Sequence, residues 1–262
     1  MNIYINTKYD IKKMKIASYI AKSVLEMIKP YVVPNITTQE LNDICHEYII
    51  NKHNALPACL GYHGFPKSTC ISVNEIICHG IPNKKKKLQN GDIVNIDITI
   101  VKDKYYADTS KMFIVGQPST LAKKLCKVAK KSLYITFPII KPGMLLNKIG
   151  RTIQKYINKT PFSIVEEYCG HGIGKNMHEI PYILHYNNNK KIILQEGMIF
   201  TIEPIINAGT KNVISMEDGW SVRTQDYNLS AQYEHTILVN KKGCEILTKR
   251  TEEKIQNIYV NN

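Results

Sequence analysis

Four carboxylates and one imidazole dominate this chain, because each stands in a segment that otherwise looks like an apolar strand or strand end. These residues are Asp97, Asp108, His171, Glu203 and Glu234. Carboxylates that share a buried site repel each other unless a cation lies between them. A structural zinc ion prefers a closed set rich in Cys and His, whereas this set suits two divalent ions that share carboxylates. Mn, Fe, Co and Zn all accept ligands of this kind.

The first two carboxylates occupy a predicted β-hairpin. In residues 92–100 apolar side chains alternate with Asn95, Asp97 and Thr99, which is the pattern of a strand with one polar face. With a turn at residues 102 and 103, position 97 would lie directly opposite Asp108, and directly opposed residues share a face. The pattern alone also allows a structural role, since a lone Asp in a strand is commonly an edge or bulge residue.

The second half of the chain supplies the remaining candidates. Residues 200–204 (FTIEP) and 232–239 (QYEHTILV) are apolar runs that contain Glu203 and Glu234. His171 stands between glycines in residues 169–174 (CGHGIG), so the backbone can bend closely around the group that the imidazole contacts. A lone His is more often a structural residue than a ligand, and the residue pattern therefore predicts a metal site only for the five taken together.

Seven motifs follow one another along the chain: residues 58–68 (ACLGYHGFPKS), 73–82 (VNEIICHGIP), 91–97 (GDIVNID), 108–113 (DTSKMF), 168–174 (YCGHGIG), 200–204 (FTIEP) and 230–236 (SAQYEHT). In their order and spacing the chain resembles the type I methionine aminopeptidases, from about residue 10 to about residue 250. Ordered motifs of this length are specific to a family, so the resemblance carries expectations about both fold and chemistry.

The resemblance implies that Asp97, Asp108, His171, Glu203 and Glu234 hold two divalent metal ions (Co, Mn, Fe or Zn), with Asp108 and Glu234 bridging them. It further implies that a metal-bridging hydroxide attacks the first peptide bond of the substrate. Glu203 then shuttles the proton to the leaving amine. His178 would donate to the developing oxyanion, and His79 would contact the scissile amide. The substrate α-amine would bind a metal ion near Asp97, which limits cleavage to the first residue.

A methionine-sized pocket is also implied by the resemblance, with the lining Cys59, Tyr62, Phe65, Cys70, His79, Met177, His178 and Trp220. Phe65 stands where the family commonly has Tyr, and Met177 stands where it commonly has Phe. Both positions bear on the shape and side-chain selectivity of the pocket, and neither belongs to the ligand set. Asn74 and Ser230 match positions that bind one monovalent cation in relatives, although ordinary loop hydrogen bonding explains them equally well.

The composition bounds the class of protein. The 262 residues include no apolar run long enough to span a membrane, and the N-terminus lacks a signal pattern. Seven cysteines without a CxxC pair predict reduced thiols in a cytoplasmic protein. The net charge of +13 would suit an enzyme beside ribosomal RNA. Because the lysines look scattered, solvated helix faces are the favoured explanation.

Helical periodicity predicts two helix pairs. In the first pair, one helix runs from Ile11 to Lys29 and the other begins at a capping box at residues 37–40. In the second pair, one helix runs from about Ser119 to Phe137 and the other follows residues 141–143. An offset of 108 residues superimposes Pro34 on Pro142, which suggests a duplicated unit. We therefore predict one α/β (α+β) domain over residues 1–262, with halves at about 10–118 and 119–250. The resemblance implies the pita-bread fold, a curved, pseudo-two-fold antiparallel sheet covered by two helix pairs. Residues 1–9 and 251–262 are predicted to be loosely held.

The leading hypothesis is a monomeric enzyme that removes the initiator methionine from nascent polypeptides when the second residue is small. One alternative is another pita-bread peptidase of the X-Pro type, although those carry an extra N-terminal domain for which this chain has no room. Type II methionine aminopeptidases have a helical insertion that the stretch between His178 and Glu203 lacks. A second alternative is a ribosome- or RNA-binding protein of the same fold. Its ligand set is expected to be broken, whereas all five ligands are present here.

Overall fold

The computed structural model of the chain describes residues 3–255, and this part contains two pairs of α-helices. They are α1 (Lys8–Ile28) and α2 (Thr38–Glu47) in the first half, and α3 (Thr120–Tyr134) and α4 (Asn147–Ile157) in the second. The predicted helix pairs are confirmed, although α1 begins three residues before the predicted Ile11. Thr37 caps α2 in the predicted capping box with Glu40, and Thr7 caps α1 in the same way with Asp10.

The strands of the described residues are all paired in antiparallel fashion. In chain order they are β1 (Leu56–Pro57), β2 (Cys70–Val73), β3 (Ile76–Cys78), β4 (Ile93–Lys102), β5 (Tyr105–Ile114), β6 (Ser163–Ile164), β7 (Gly170–Gly172), β8 (Glu179–Ile183), β9 (Ile199–Ile202), β10 (Ile205–Asn207), β11 (Val213–Ser215), β12 (Val222–Thr224), β13 (Ser230–Gln232), β14 (His235–Asn240) and β15 (Gly243–Ile246). Strand β4 pairs with β5 on one edge and with β1 and β2 on the other. The longest sheet of the second half has the order β15-β14-β9-β7-β8.

Each half of the chain has its own apolar core. In the first half, α1 and α2 pack against β4 and β5 through side chains such as Leu25, Leu41 and Ile96. In the second half, α3 lies against β10 and β13 and α4 against β6 and β8, and this core includes side chains such as Ile149 and Phe200. Truncating one of these buried side chains to Ala would cost about 2–5 kcal/mol of stability. Each helix pair thus covers one face of its sheet and leaves the polar face of that sheet free.

Hydrogen bonds between β5 and the β13–β14 segment join the two halves. The Glu234 amide donates to the Ser110 carbonyl at 3.1 Å, and the Thr109 hydroxyl donates to the Glu234 carbonyl at 2.9 Å. The Thr236 hydroxyl donates to the Asp108 carbonyl at 2.7 Å. The backbone of Asp108 therefore lies beside that of Glu234, although 126 residues separate them in the sequence.

The prediction of loosely held termini is wrong for residues 3–9 and 251–255. The Asn6 amide and side chain both donate to the Gly197 carbonyl at 3.0 Å. Near the other end, Glu253 is buried and accepts from the Arg250 guanidinium at 2.7 Å. Polar residues make these contacts, so apolar periodicity could not reveal them.

Residues 1, 2 and 256–262 lie outside the described residues. Between residues 3 and 255, no helix is both long and apolar enough to cross a membrane.

Candidate active site

The β4–β5 hairpin carries the first two carboxylates, but its register differs from the prediction. Asp97 pairs with Ser110, and Asp108 pairs with Thr99. The turn consists of Asp103 and Lys104, which both have positive φ, rather than residues 102 and 103. The predicted direct opposition of positions 97 and 108 is therefore wrong by two residues. Because a shift of two preserves the face, both carboxylates still point to the same side of the sheet.

Strand β7 positions His171 through its flanking glycines. A Cβ atom on Gly170 would lie 2.3 Å from the Thr201 carbonyl oxygen, and one on Gly172 would lie 2.5 Å from that of Ile180. Glycine is therefore required at both positions. The Nδ1 atom of His171 is 3.0 Å from the Gly172 carbonyl oxygen and can only donate to it. This hydrogen bond fixes the tautomer and leaves the Nε2 lone pair free to bind a metal ion.

Glu203 follows β9 and is held by three side chains. The Thr201 hydroxyl donates to its Oε1 at 2.7 Å, and the Gln232 amide donates to its Oε2 at 3.3 Å. The backbone amide of Glu203 donates to Nε2 of the buried His185 at 3.1 Å. Glu234 lies between β13 and β14, where the bonds to β5 fix its backbone.

All five predicted ligands line one pocket of about 280 Å³ between the two halves. Asp108, His171 and Glu234 offer ligand atoms that all lie within 4.8 Å of one another. The Nε2 atom of His171 lies 3.9 Å from Oδ2 of Asp108 and 3.6 Å from Oε1 of Glu203. The structure therefore brings together residues that come from both halves and from five separate motifs.

The buried carboxylates of this cluster favour the binding of cations. Burial raises the pKa of Asp108 to about 6 and that of Glu203 to about 8. The pKa values of Asp97 and Glu234 are raised by burial and by neighbouring carboxylates. Oδ1 of Asp97 and Oε1 of Glu234 are buried with no hydrogen-bond partner among residues 3–255. Four carboxylates and one neutral imidazole fit divalent metal ions, which would give these oxygens partners.

Two further histidines face the cluster. His178 lies against His171, with 4.3 Å between the ring centroids, and its Nδ1 is 2.8 Å from the Tyr62 hydroxyl. The His79 ring packs edge-on against Tyr168 and Trp220. Burial lowers the pKa of both imidazoles, so both are neutral near pH 7. In the neutral tautomer whose Nδ1 accepts from the Tyr62 hydroxyl, the proton of His178 is on Nε2, which can then act as a donor.

The outer wall of the pocket contains the predicted side-chain lining. Cys59, Phe65 and Cys70 form a small apolar cluster with the Trp220 ring at its edge. Phe65 and Trp220 meet edge to face at 5.2 Å between centroids. Met177 lines the same pocket and is buried. The wall is thus mainly apolar, and the four candidate carboxylate ligands line the same pocket.

Asn74 and Ser230 lie next to each other away from this pocket. The Ser230 amide donates to the Asn74 carbonyl at 2.9 Å. The Asn74 side chain donates to Asp92 and accepts from the Ile93 amide, so its polar atoms already have protein partners. A monovalent cation at these residues stays a prediction.

Sequence reasoning missed the residues that orient the candidate ligands. Thr99 donates to Oδ1 of Asp108 at 3.0 Å, and Thr201 and Gln232 hold Glu203. The sequence pattern placed Thr99 on the polar face with Asp97 without predicting its bond to Asp108. Thr201 stands two positions before Glu203, so strand periodicity would have placed these two residues on the same face. His185 lacks such a signal, because it lies 18 residues before Glu203 in an irregular segment.

Comparisons with known proteins identify the class to which this fold and site belong. The model of metallopeptidase family M24 matches residues 12–241, and the chain therefore belongs to that family. Among the structures that it resembles, prolidase from Pyrococcus furiosus has a TM-score of 0.74 at 22% identity over 95% of this chain and 66% of that chain. That similarity shows the fold alone.

Within this family the chain is similar over its full length to several methionine aminopeptidases. It is 59% identical to that of Buchnera aphidicola subsp. Schizaphis graminum over 100% of both chains, and 54% identical to that of Escherichia coli K12 over 98% of both. The structure of methionine aminopeptidase from Rickettsia prowazekii superimposes with a TM-score of 0.92 at 48% identity, covering 95% of this chain and 100% of that one. The resemblance to type I methionine aminopeptidases and the pita-bread fold are confirmed.

Proposed function

We propose that this chain is a metal-dependent aminopeptidase that removes the N-terminal methionine from polypeptides whose second residue is small. The observation that carries the proposal is the convergence of four carboxylates and one imidazole on one apolar pocket, with Asp108, His171 and Glu234 close enough to share a metal ion. The full-length similarity to methionine aminopeptidases supports it. An X-Pro peptidase is disfavoured, because the matching prolidase is only 22% identical.

In this proposal Asp97, Asp108, His171, Glu203 and Glu234 would hold two divalent ions. The unpaired buried oxygens of Asp97 and Glu234 support this assignment. Divalent ions bound there would activate water and polarise the scissile carbonyl. Co, Mn, Fe and Zn all suit the ligand set.

Glu203 is the proton carrier in this mechanism. Its carboxylate takes a proton from the attacking water and delivers it to the leaving amine of the substrate. Thr201 and Gln232 each bond one of its oxygens and so hold the carboxylate in a single orientation. Its backbone is fixed in turn by His185.

The neutral histidines act on the scissile amide. His178 donates from Nε2 to the substrate carbonyl oxygen as negative charge develops there, and Tyr62 keeps it in the required tautomer. His79 contacts the scissile amide from the Trp220 side of the pocket. Donors fixed in advance cost no reorganisation during the reaction.

The apolar wall selects the first side chain. Cys59, Phe65, Cys70, Met177 and Trp220 enclose a space of the right character for the thioether chain of methionine. The α-amine of the substrate binds near Asp97, so that a longer N-terminal extension has no place.

We further propose that the substrates are nascent polypeptides in the cytoplasm and that the enzyme is a monomer that associates with the ribosome. We also propose that Asn74 and Ser230 bind one monovalent cation.

Hydrolysis of the peptide Met-Ala-Ser by metal-stripped protein, with and without added Mn or Co, tests the function. Release of methionine from this peptide, but not from Met-Leu-Ser, is expected only with metal. Leu-Ala-Ser is the control for the pocket. Metal-dependent cleavage of Leu-Ala-Ser would contradict the selectivity, and no cleavage under any metal would contradict the enzyme.

A further inference from the structure

A buried network of charged and polar side chains lies beside the segment that carries Glu234, and the proposed reaction does not use it. Arg250 is 1% exposed and is the only Lys or Arg that is buried between residues 3 and 255. Its Nη2 donates to Oε1 of the buried Glu253 at 2.7 Å and lies 3.2 Å from Nε2 of the buried His235. A permanent positive charge is therefore in contact with the residue that directly follows Glu234.

Stability alone gives a poor explanation for this buried charge. Burial of Arg250 and Glu253 removes both from water, and their attraction offsets that cost only where the geometry is good and the other donors are satisfied. The Nε of Arg250 has no hydrogen-bond partner among residues 3–255. A pair of apolar side chains of similar volume would often be no less stable. The guanidinium is therefore better explained by what its other donors hold in place.

The other terminal nitrogen of Arg250 is linked to Glu234 through one hydroxyl group. Nη1 donates to Oγ1 of Thr109 at 2.9 Å, and the same hydroxyl donates to the Glu234 carbonyl at 2.9 Å. A guanidinium can only donate, so the Thr109 hydroxyl accepts from Arg250 and keeps its single proton for Glu234. Arg250 therefore directs the hydrogen bond by which β5 holds the backbone of Glu234.

The segment that carries this arginine also contacts the two residues that follow Glu234. Nδ1 of His235 lies 3.0 Å from the Thr248 hydroxyl. The same hydroxyl accepts from the Thr236 amide at 3.0 Å, and the Thr236 hydroxyl donates to the Asp108 carbonyl at 2.7 Å. Residues 248–250 thus support the backbone at the point where the chain segments of two candidate ligands meet.

We propose that Arg250 is a positioning residue for the metal site, which acts through Thr109 on Glu234. Glu234 lies between β13 and β14, outside both strands, so its backbone depends on hydrogen bonds such as that from Thr109. With its carbonyl held, its carboxylate stays where it can share an ion with Asp108 and His171. This role rests on the proposed function, because it takes Glu234 to be a metal ligand.

Calorimetric titration of the metal-stripped full chain with Mn tests the proposal. Thr109→Val removes the hydroxyl and should raise the Kd for Mn by at least about tenfold, in the range for loss of a group that orients a ligand. Thr109→Ser keeps the hydroxyl, and its Kd should stay within about threefold of wild type. The double variant Arg250→Met, Glu253→Gln removes both buried charges together and should weaken Mn binding as much as Thr109→Val does. Circular dichroism should show that the variants are folded, and the Thr109 variants carry the test if the double variant is not.

The matched control is Tyr134→Phe, which also removes one hydroxyl from the network. The Tyr134 hydroxyl donates to Oε1 of Glu253 at 2.5 Å, so its loss loosens the end of the described chain but leaves the bonds of Thr109 in place. The Tm of this variant should fall, whereas its Kd for Mn should stay within about threefold of wild type. Equal rises in Kd for Tyr134→Phe and Thr109→Val would show a mere loss of stability and overturn the proposal. So would a Thr109→Ser variant that binds Mn as weakly as Thr109→Val.

Hydrolysis of Met-Ala-Ser is measured with the same samples. A wild-type protein that binds Mn and lacks peptidase activity would refute the proposed function, while a weaker affinity of Thr109→Val for Mn would still support the role of Arg250. An active wild-type enzyme whose Thr109→Val variant binds Mn with unchanged affinity would do the reverse. Neither Thr109 nor Arg250 lines the active-site pocket, so a change in Mn affinity must arise through the ligands that they hold.

Discussion

The two halves of the molecule hold their candidate ligands in different ways. Asp97 and Asp108 lie inside β4 and β5, where ten consecutive residue pairs fix the register. In the second half, His171 lies on a strand of three residues, and Glu203 and Glu234 lie just outside short strands. Side chains of Thr201, Gln232 and His185 hold the Glu203 segment in place of a long ladder.

This difference has a consequence for mutation. A carboxylate placed by backbone register stays in position when a neighbouring side chain is changed, because the ladder of hydrogen bonds is unaffected. A carboxylate placed by side-chain hydrogen bonds loses its orientation when one of those partners is removed. In the first half, metal binding should therefore be weakened mainly by mutation of the candidate ligands themselves. In the second half, it should also be weakened by mutation of the residues that contact those ligands.

The largest effect is expected from Asp108→Ala in the first half. It removes a carboxylate that is proposed to be shared by both ions, and metal loading and peptidase turnover should both fall below detection. Metal content by mass spectrometry and the Met-Ala-Ser assay measure the two quantities. Asp103→Ala in the exposed hairpin turn is the control and should retain both. Full activity of Asp108→Ala would refute the two-ion site.

Glu203→Gln in the second half should lower kcat by about 10²–10⁴, because the amide cannot carry the proton. Gln still accepts the Thr201 hydrogen bond through one atom, so metal content should fall much less than in Asp108→Ala. Steady-state kinetics with parallel metal analysis separate these effects. A variant that keeps its metal and also keeps the wild-type kcat would contradict the proton-carrier role.

His178→Ala should lower kcat by about 10²–10³, in the range for removal of an oxyanion donor. Metal content should stay normal, since His178 contacts His171 without being a proposed ligand. Tyr62→Phe, which removes only the hydrogen bond to Nδ1, should have a smaller effect of the same kind. Loss of metal from His178→Ala would show that its role has been assigned wrongly.

A matched pair of threonine variants compares the halves directly. Thr201→Val removes bonds to both Glu203 and the His171 amide and should weaken metal affinity by about 10–100-fold. Thr99→Val removes a bond to Asp108, which the strand register still positions, and should weaken affinity by less than about tenfold. Metal titration by calorimetry gives both values. Equal losses of metal affinity in the two variants would contradict the proposed difference between the halves.

The smallest effect is expected on the thermal stability of metal-free protein. The pKa of Glu203 is raised to about 8 in the folded chain, so the folded state binds its proton more tightly than the unfolded state. Stability of the chelated protein should therefore fall as pH rises from 6.5 to 8, with a decrease in Tm of about 2–5 °C. Below pH 6.5 the depressed pKa of His171, about 3, acts in the opposite direction, which sets the lower limit of the window.

Protein loaded with Mn serves as the reference for that measurement. Bound cations stabilise the ionised carboxylates, so its Tm should be flatter over the same pH range. Metal-free Glu203→Gln, which lacks the titrating group, should also show a flatter profile than metal-free wild-type protein. A difference between loaded and metal-free protein that is constant with pH would contradict the role of Glu203 in this dependence.

The hairpin shows how far the sequence could predict the site. Alternation in residues 92–100 predicted that Asp97 faces the same side as Asp108, and it does, although the turn lies one position later than predicted. Moving a two-residue turn by one position changes the pairing by two, and that preserves the face. The side on which a residue points is thus a more robust prediction than its partner across the strand.

The surroundings of the candidate ligands were harder to predict. The contact of His185 with the Glu203 amide depends on how an irregular segment packs, and no local pattern encodes such packing. The same is true of the contact of Arg250 with Thr109.

The N-terminal arm, residues 3–7, has a consequence for protein engineering. Tyr4 accepts a hydrogen bond from Lys175 at 3.2 Å, and the Lys175 ammonium lies 3.5 Å from Asp10. Lys175 belongs to the short turn that presents Met177 and His178 to the pocket. Changes to the arm, including a fused purification tag, therefore reach the pocket wall indirectly.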